Sequence, residues 1–157
     1  MTLPWLLAGL HLLALGVGLG AVWVRGRALS SRLDERGLHS VFLADMWWGI
    51  AAFLWIGTGL WRLLAGLEKD TGYYFQNHLF LAKMGLLAVI LVLEVRPMMT
   101  LIKWRRQVRA GGLPVTRVAP ALARISFGQA VLVIVMVFLA SAMARGYGVS
   151  ADLPPSR

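Results

Sequence analysis

No cysteine occurs anywhere in the 157 residues. Disulfides, thiolate metal sites, iron–sulfur clusters and thioether-linked haem are thereby excluded. Charge is scarce as well: 15% of residues carry one, and only seven are acidic against sixteen Lys and Arg. A soluble domain runs nearer a quarter charged. What fills the gap is apolar: 59% of the chain is hydrophobic, and the mean hydropathy is +0.70. One soluble core of this length cannot absorb that much, so membrane spans are the first expectation.

The net charge of +9 would suggest nucleic acid in a soluble protein. Here the positive residues are bunched between apolar runs, the pattern of loops on an anionic leaflet, and nucleic acid is set aside. Four stretches are long enough to cross a bilayer, at about 4–24, 41–65, 78–102 and 121–144. The short connections predict antiparallel neighbours in an all-α integral membrane four-helix bundle, with 1–157 as one transmembrane domain. The first run lacks a basic lead and is too long for a signal peptide, so it reads as a mature helix.

Lys and Arg in short loops set orientation. Loop one is read as holding Arg25, Arg27, Arg32 and Arg36, and loop three Lys103, Arg105, Arg106, Arg109 and Arg117. Loop two holds Lys69 with Glu68 and Asp70, and Arg62 stands just before it. Loops one and three are therefore expected in the cytoplasm and both termini outside, in a bacterial inner membrane. Tyr73, Tyr74 and Phe75 stand where an outer aromatic belt belongs, Pro120 reads as a helix start, and "ADLPPSR" as a disordered end.

Ionisable groups at membrane depth need a partner or a task, because each costs roughly 2.5–3.5 kcal/mol at mid-helix on insertion scales. One group, Asp45, Glu94, Arg96 and Arg124, lies toward the basic loops. Asp45 shares a stripe with Gly49, Ala52, Ile56 and Gly59, which predicts that it faces the bundle, with Arg124 as its partner. The cluster reads as structural ion pairs or as a proton route.

The other group is His11, His78 and Lys83. His11 shares a face with Ala8, Ala14, Gly18 and Ala21, and Lys83 heads a stripe through Leu87 and Ile90 to Glu94. A neutral imidazole near a cation inside an apolar bundle suits haem b or another porphyrin: iron takes His11, with His78 a possible second ligand, and Lys83 answers a propionate. Each has a plainer reading. His11 could simply bond a neighbouring helix, His78 could be solvated at the surface, and Lys83 could snorkel to headgroups. His39, the tryptophans Trp5, Trp47, Trp48, Trp55 and Trp61, and the methionines Met46, Met84, Met98 and Met99 read as belt and packing residues.

The stretches "HLLALGVGLGAVWVRGRAL", "ADMWWGIAAFLWIGTGLWRL" and "GLEKDTGYYFQNHLFLAKMGLL" resemble an uncharacterised family of small bacterial four-helix membrane proteins, a domain of unknown function. More distantly the chain is similar to HemJ-type protoporphyrinogen oxidases, which bind haem b and depend on a first-helix histidine and a lysine early in the third helix. His11 and Lys83 occupy those positions, and "GLW" at 59–61 resembles the end of the HemJ second helix. Leu81 stands where HemJ proteins usually carry a histidine. The resemblance implies a haem-binding redox protein with Lys83 as the catalytic or substrate-holding cation, acting on a porphyrinogen or quinol, with a quinone or respiratory complex as partner and a possible homo-oligomer. The rival expectation is a non-enzymatic accessory subunit or small transporter component using Asp45, Glu94 and Arg124.

Overall fold

In the computed structural model, residues 2–64 and 78–147 are described, with side chains from position 5 onward except at 62 and 63. They form four helices: α1 Thr2–Leu29, α2 Glu35–Leu64, α3 His78–Arg109 and α4 Ala119–Ala144. All four are long and apolar enough to cross a membrane, and no strand occurs among the described residues. At 1.5 Å per residue they run roughly 40–48 Å, beyond the ~30 Å hydrocarbon layer.

The helices outrun the expected spans at the basic end. Arg25 and Arg27 belong to α1, not to loop one, and Lys103, Arg105, Arg106 and Arg109 belong to α3, not to loop three. Helical geometry continues through them because long straight side chains are good helix formers, and basic groups suit the negative end of the helix dipole. The ends are chemically marked. Asp34 caps α2, its Oδ1 accepting the Gly37 N–H at 2.9 Å. Gly111, at φ 82, closes α3 with Gly111 N–H donating to the Val108 carbonyl and Gly112 N–H to the Gln107 carbonyl. Gly146, at φ 87, closes α4 in the same way through Met143 and Ala142. Pro120 does lie in the first turn of α4, as its missing N–H allows.

Packing runs in the order α2–α1–α4–α3. Each of these pairs packs along its length, while the remaining pairs touch at isolated points at most. Two apolar clusters result. One joins Ala14, Val22, Trp48, Trp55, Ile90 and Val133; the other, at the basic end, joins Leu29, Leu38, Val41, Leu101, Trp104 and Leu122. Between them lies a polar layer. Close approach inside the bundle depends on Gly26, where an added Cβ would stand 2.8 Å from the Phe127 ring. That ring meets Trp23 edge-on at 5.1 Å.

The segment 65–77 and the tail 148–157 lie outside the described residues. With them go the expectations for Glu68, Lys69, Asp70, the belt Tyr73, Tyr74 and Phe75, and the tail "ADLPPSR".

Candidate functional site

The polar layer is built on Arg25, whose side chain is 0% exposed. A guanidinium has five N–H donors, and each finds an acceptor. Nε donates to Ser126 Oγ at 3.0 Å. Nη1 donates to Asp45 Oδ1 and to Glu94 Oε1, both at 2.8 Å. Nη2 donates to Glu94 Oε2 and to Gln129 Oε1, again at 2.8 Å each. Every helix contributes, and Glu94 grips the fork with both oxygens, the geometry in which an arginine–carboxylate pair is strongest.

The partners are tied in turn. Gln129 Nε2 donates to Glu94 Oε2 at 2.9 Å and to the Ile90 carbonyl at 3.1 Å, so the amide spends both its hydrogens. Ser126 Oγ passes its own proton to the Leu122 carbonyl. Arg105 Nη2 donates to Asp45 Oδ2 at 2.8 Å and to the Phe42 carbonyl at 3.0 Å, closing α3 onto α2 where their backbones stand apart. The Arg25 guanidinium also sits 5.9 Å from the Trp48 ring centroid. Two cations and two carboxylates leave the layer neutral, which is the condition for keeping charge at membrane depth.

Asp45 and Glu94 are thus brought together as expected, but by another partner. Arg124 is exposed and makes no ion pair among the described residues. Arg96 is exposed as well. The expected stripe on α2 is off by one position. Val41, Ala44, Trp48, Ala51, Trp55 and Thr58 form its buried face, while Gly49 is exposed and Ala52, Ile56 and Gly59 are half-buried. The bulk of Trp48 and Trp55 decides the register over the small residues. Sequence reasoning missed Arg25, Arg105, Ser126 and Gln129, although the signal was present. The α1 face of His11, Ala14, Gly18 and Ala21 reaches Arg25 at the next step of four, and Ser126 and Gln129 continue α4's buried steps from Leu122 to Val133 and Met136.

His11 is half-buried and turned toward α2. Its Nδ1 lies 3.0 Å from Thr58 Oγ1, and the Thr58 hydroxyl spends its proton on the Leu54 carbonyl at 2.6 Å. The threonine oxygen therefore meets the Nδ1 edge of the ring. An added Cβ at Gly59 would stand 3.0 Å from His11 Cε1, so glycine allows this approach. The Trp55 ring lies 6.0 Å from the imidazole; Trp55 is 7% exposed and its Nε1–H has no hydrogen-bond partner among the described residues. On α3, Ile90 is buried, Lys83, Leu87 and Glu94 are half-buried, and His78 is exposed at the first position. His39 is exposed.

A haem needs an imidazole nitrogen and room for its ring. His11 supplies an imidazole. The cavity on the same α1–α2 seam, walled by Ala14, Gly18, Trp48, Ala51, Trp55 and Val133, measures about 10 Å³, about the space of one water molecule. A porphyrin does not fit in that seam as packed. No cluster of three or more His, Asp or Glu able to hold a metal ion occurs among the described residues.

A four-helix membrane bundle with a buried polar layer is the class that fold and site define. The sequence model of a family described as "Predicted membrane protein (DUF2214)" matches residues 3–148, and the chain belongs to that family. No curated protein and no solved structure matches the chain.

Proposed function

We propose that the protein is a non-enzymatic membrane component, an accessory subunit or a small proton-linked transporter part, with the Arg25 layer as its working centre. The observation that carries this reading is the Glu94 grip on Arg25. α3 packs along its length on α4 alone and is joined to α1 and α2 by polar ties. Glu94 is 20% exposed in its side chain and Asp45 12%, against 0% for Arg25, so the carboxylates are the reachable members. A proton delivered to Glu94 turns an acceptor into a donor and weakens the grip of α3 on Arg25. Proton uptake and helix movement are then one event, which is what a coupling element requires. The basic loops lie in the cytoplasm of a bacterial inner membrane on this reading, supported by the excess of Arg and Lys at that end.

Proteoliposomes loaded with a pH-sensitive dye test it. The wild type is expected to pass protons, and Glu94→Gln and Asp45→Asn to alter the rate at unchanged protein level, with His11→Ala near wild type. A Glu94→Gln protein indistinguishable from wild type overturns the reading.

A second reading, a haem b-binding redox protein acting on a porphyrinogen or quinol-like substrate, is favoured by one observation, the Nδ1···Thr58 contact that orients the His11 ring inside the bundle. A visible spectrum of detergent-purified protein from haem-replete cells decides it: a Soret band lost in His11→Ala supports haem, and a colourless folded protein excludes it.

A further inference from the structure

Arg124, expected to pair with Asp45, takes no part in the polar layer. It sits in the second turn of α4, exposed, with no hydrogen bond or ion pair among the described residues. Beside it, between the end of α1 and the start of α4, runs an open groove of about 440 Å³, a volume in the range of small-molecule sites. Ser31 and Thr116 stand at its polar side, and Leu33, Ala123 and Phe127 supply apolar wall. Arg32 and Arg117, next in sequence to Ser31 and Thr116, are exposed too, whereas the nearby Asp34 is engaged in capping α2.

We propose that this groove binds an anionic phospholipid, its phosphate on the Arg124 guanidinium and its chains against Phe127 and Ala123. Charge and shape select the occupant. The groove mixes a forked cation with an apolar wall at a membrane-facing helix junction, which suits a molecule with an anionic head and a hydrocarbon tail. The serine hydroxyls and the helix-end amides beside Arg124 are occupied. Ser30 and Ser31 hydroxyls donate to the Gly26 and Ala28 carbonyls. At the start of α4, Ala119 N–H donates to the Thr116 carbonyl, Ala121 N–H to the Val118 carbonyl, and Pro120 has no N–H. The helix end therefore offers little to an anion, and Arg124 is the charged side chain that lines the groove itself.

Native mass spectrometry of the full chain in detergent tests this, with phosphatidylglycerol and phosphatidylcholine as probes and inorganic phosphate as competitor. Phosphatidylglycerol should stay bound in preference to phosphatidylcholine. Arg124→Gln should weaken it about fivefold, as expected for one basic residue near the headgroups. Arg124→Lys should keep most of the binding, and Arg109→Gln, at the exposed end of α3, should change it little. Equal losses in Arg124→Gln and Arg109→Gln would reduce the effect to diffuse attraction and overturn the site. So would equal retention of the two lipids, or displacement of the lipid by inorganic phosphate, which marks a free-anion site.

Discussion

At the scale of single residues, Arg25 and Arg124 form a natural contrast. Both are arginines in apolar helices, yet one is fully enclosed by five acceptors and the other is exposed. Removing the enclosed one leaves Glu94 without a cation and Asp45 with Arg105 alone, a loss of about 3–5 kcal/mol for a broken buried pair. Arg25→Met should therefore fail to accumulate or lose much of its thermal stability in detergent, while Arg124→Gln should unfold within about 0.5 kcal/mol of wild type, as surface changes do. Thermal unfolding followed by size-exclusion chromatography reads both. Adding Glu94→Gln to Arg25→Met should recover part of the loss, because the penalty lies in the stranded carboxylate and contacting residues are not additive. Gly26 offers a separate check. A methyl there presses on Phe127, so Gly26→Ala should cost about 1–3 kcal/mol in the same assay, the usual cost of overpacking.

At the scale of the helix, the sequence was a good guide to which segments are helical and a poor one to how they face. Four apolar runs announced four helices, and Pro120 marked the start of the last. Facing was harder, because a helix that meets lipid on one side and protein on the other is apolar all round, so its hydrophobic pattern is nearly flat. On α2 the small residues Gly49, Ala52 and Gly59 suggested one face, and the volume of Trp48 and Trp55 settled the neighbouring one. Arg25 was hidden for a related reason: a basic residue near the end of an apolar run looks like a loop residue until the helix is seen to extend past it. The polar residues mark the inner face better than the apolar ones, since His11, Arg25, Ser126 and Gln129 all fall on buried steps. Of the helix ends, Pro120 was read from the sequence, and the Asp34 cap was not. Asp34→Ala removes the α2 cap and should destabilise by about 0.5–2 kcal/mol, measurable as a lower unfolding temperature, with Asp34→Asn close to wild type.

At the scale of the whole molecule, two apolar clusters are held in register by one neutral polar layer, and α3 belongs to the assembly as much through that layer as through packing. Glu94→Gln should therefore loosen α3 in particular. Hydrogen exchange is expected to rise in α3 around Ile90 and Leu101 more than in the α1–α2 pair, and a uniform rise across all four helices would contradict this arrangement. The wiring of Arg25 also bears on how the chain is made. A growing polypeptide that has delivered only α1 and α2 to the bilayer holds a guanidinium with a single acidic partner, and the remaining three acceptor side chains arrive with the last two segments. Entry of α3 and α4 relieves that charge, so a product terminated before them carries its own defect into the membrane, where quality-control proteases can distinguish it from the four-helix protein.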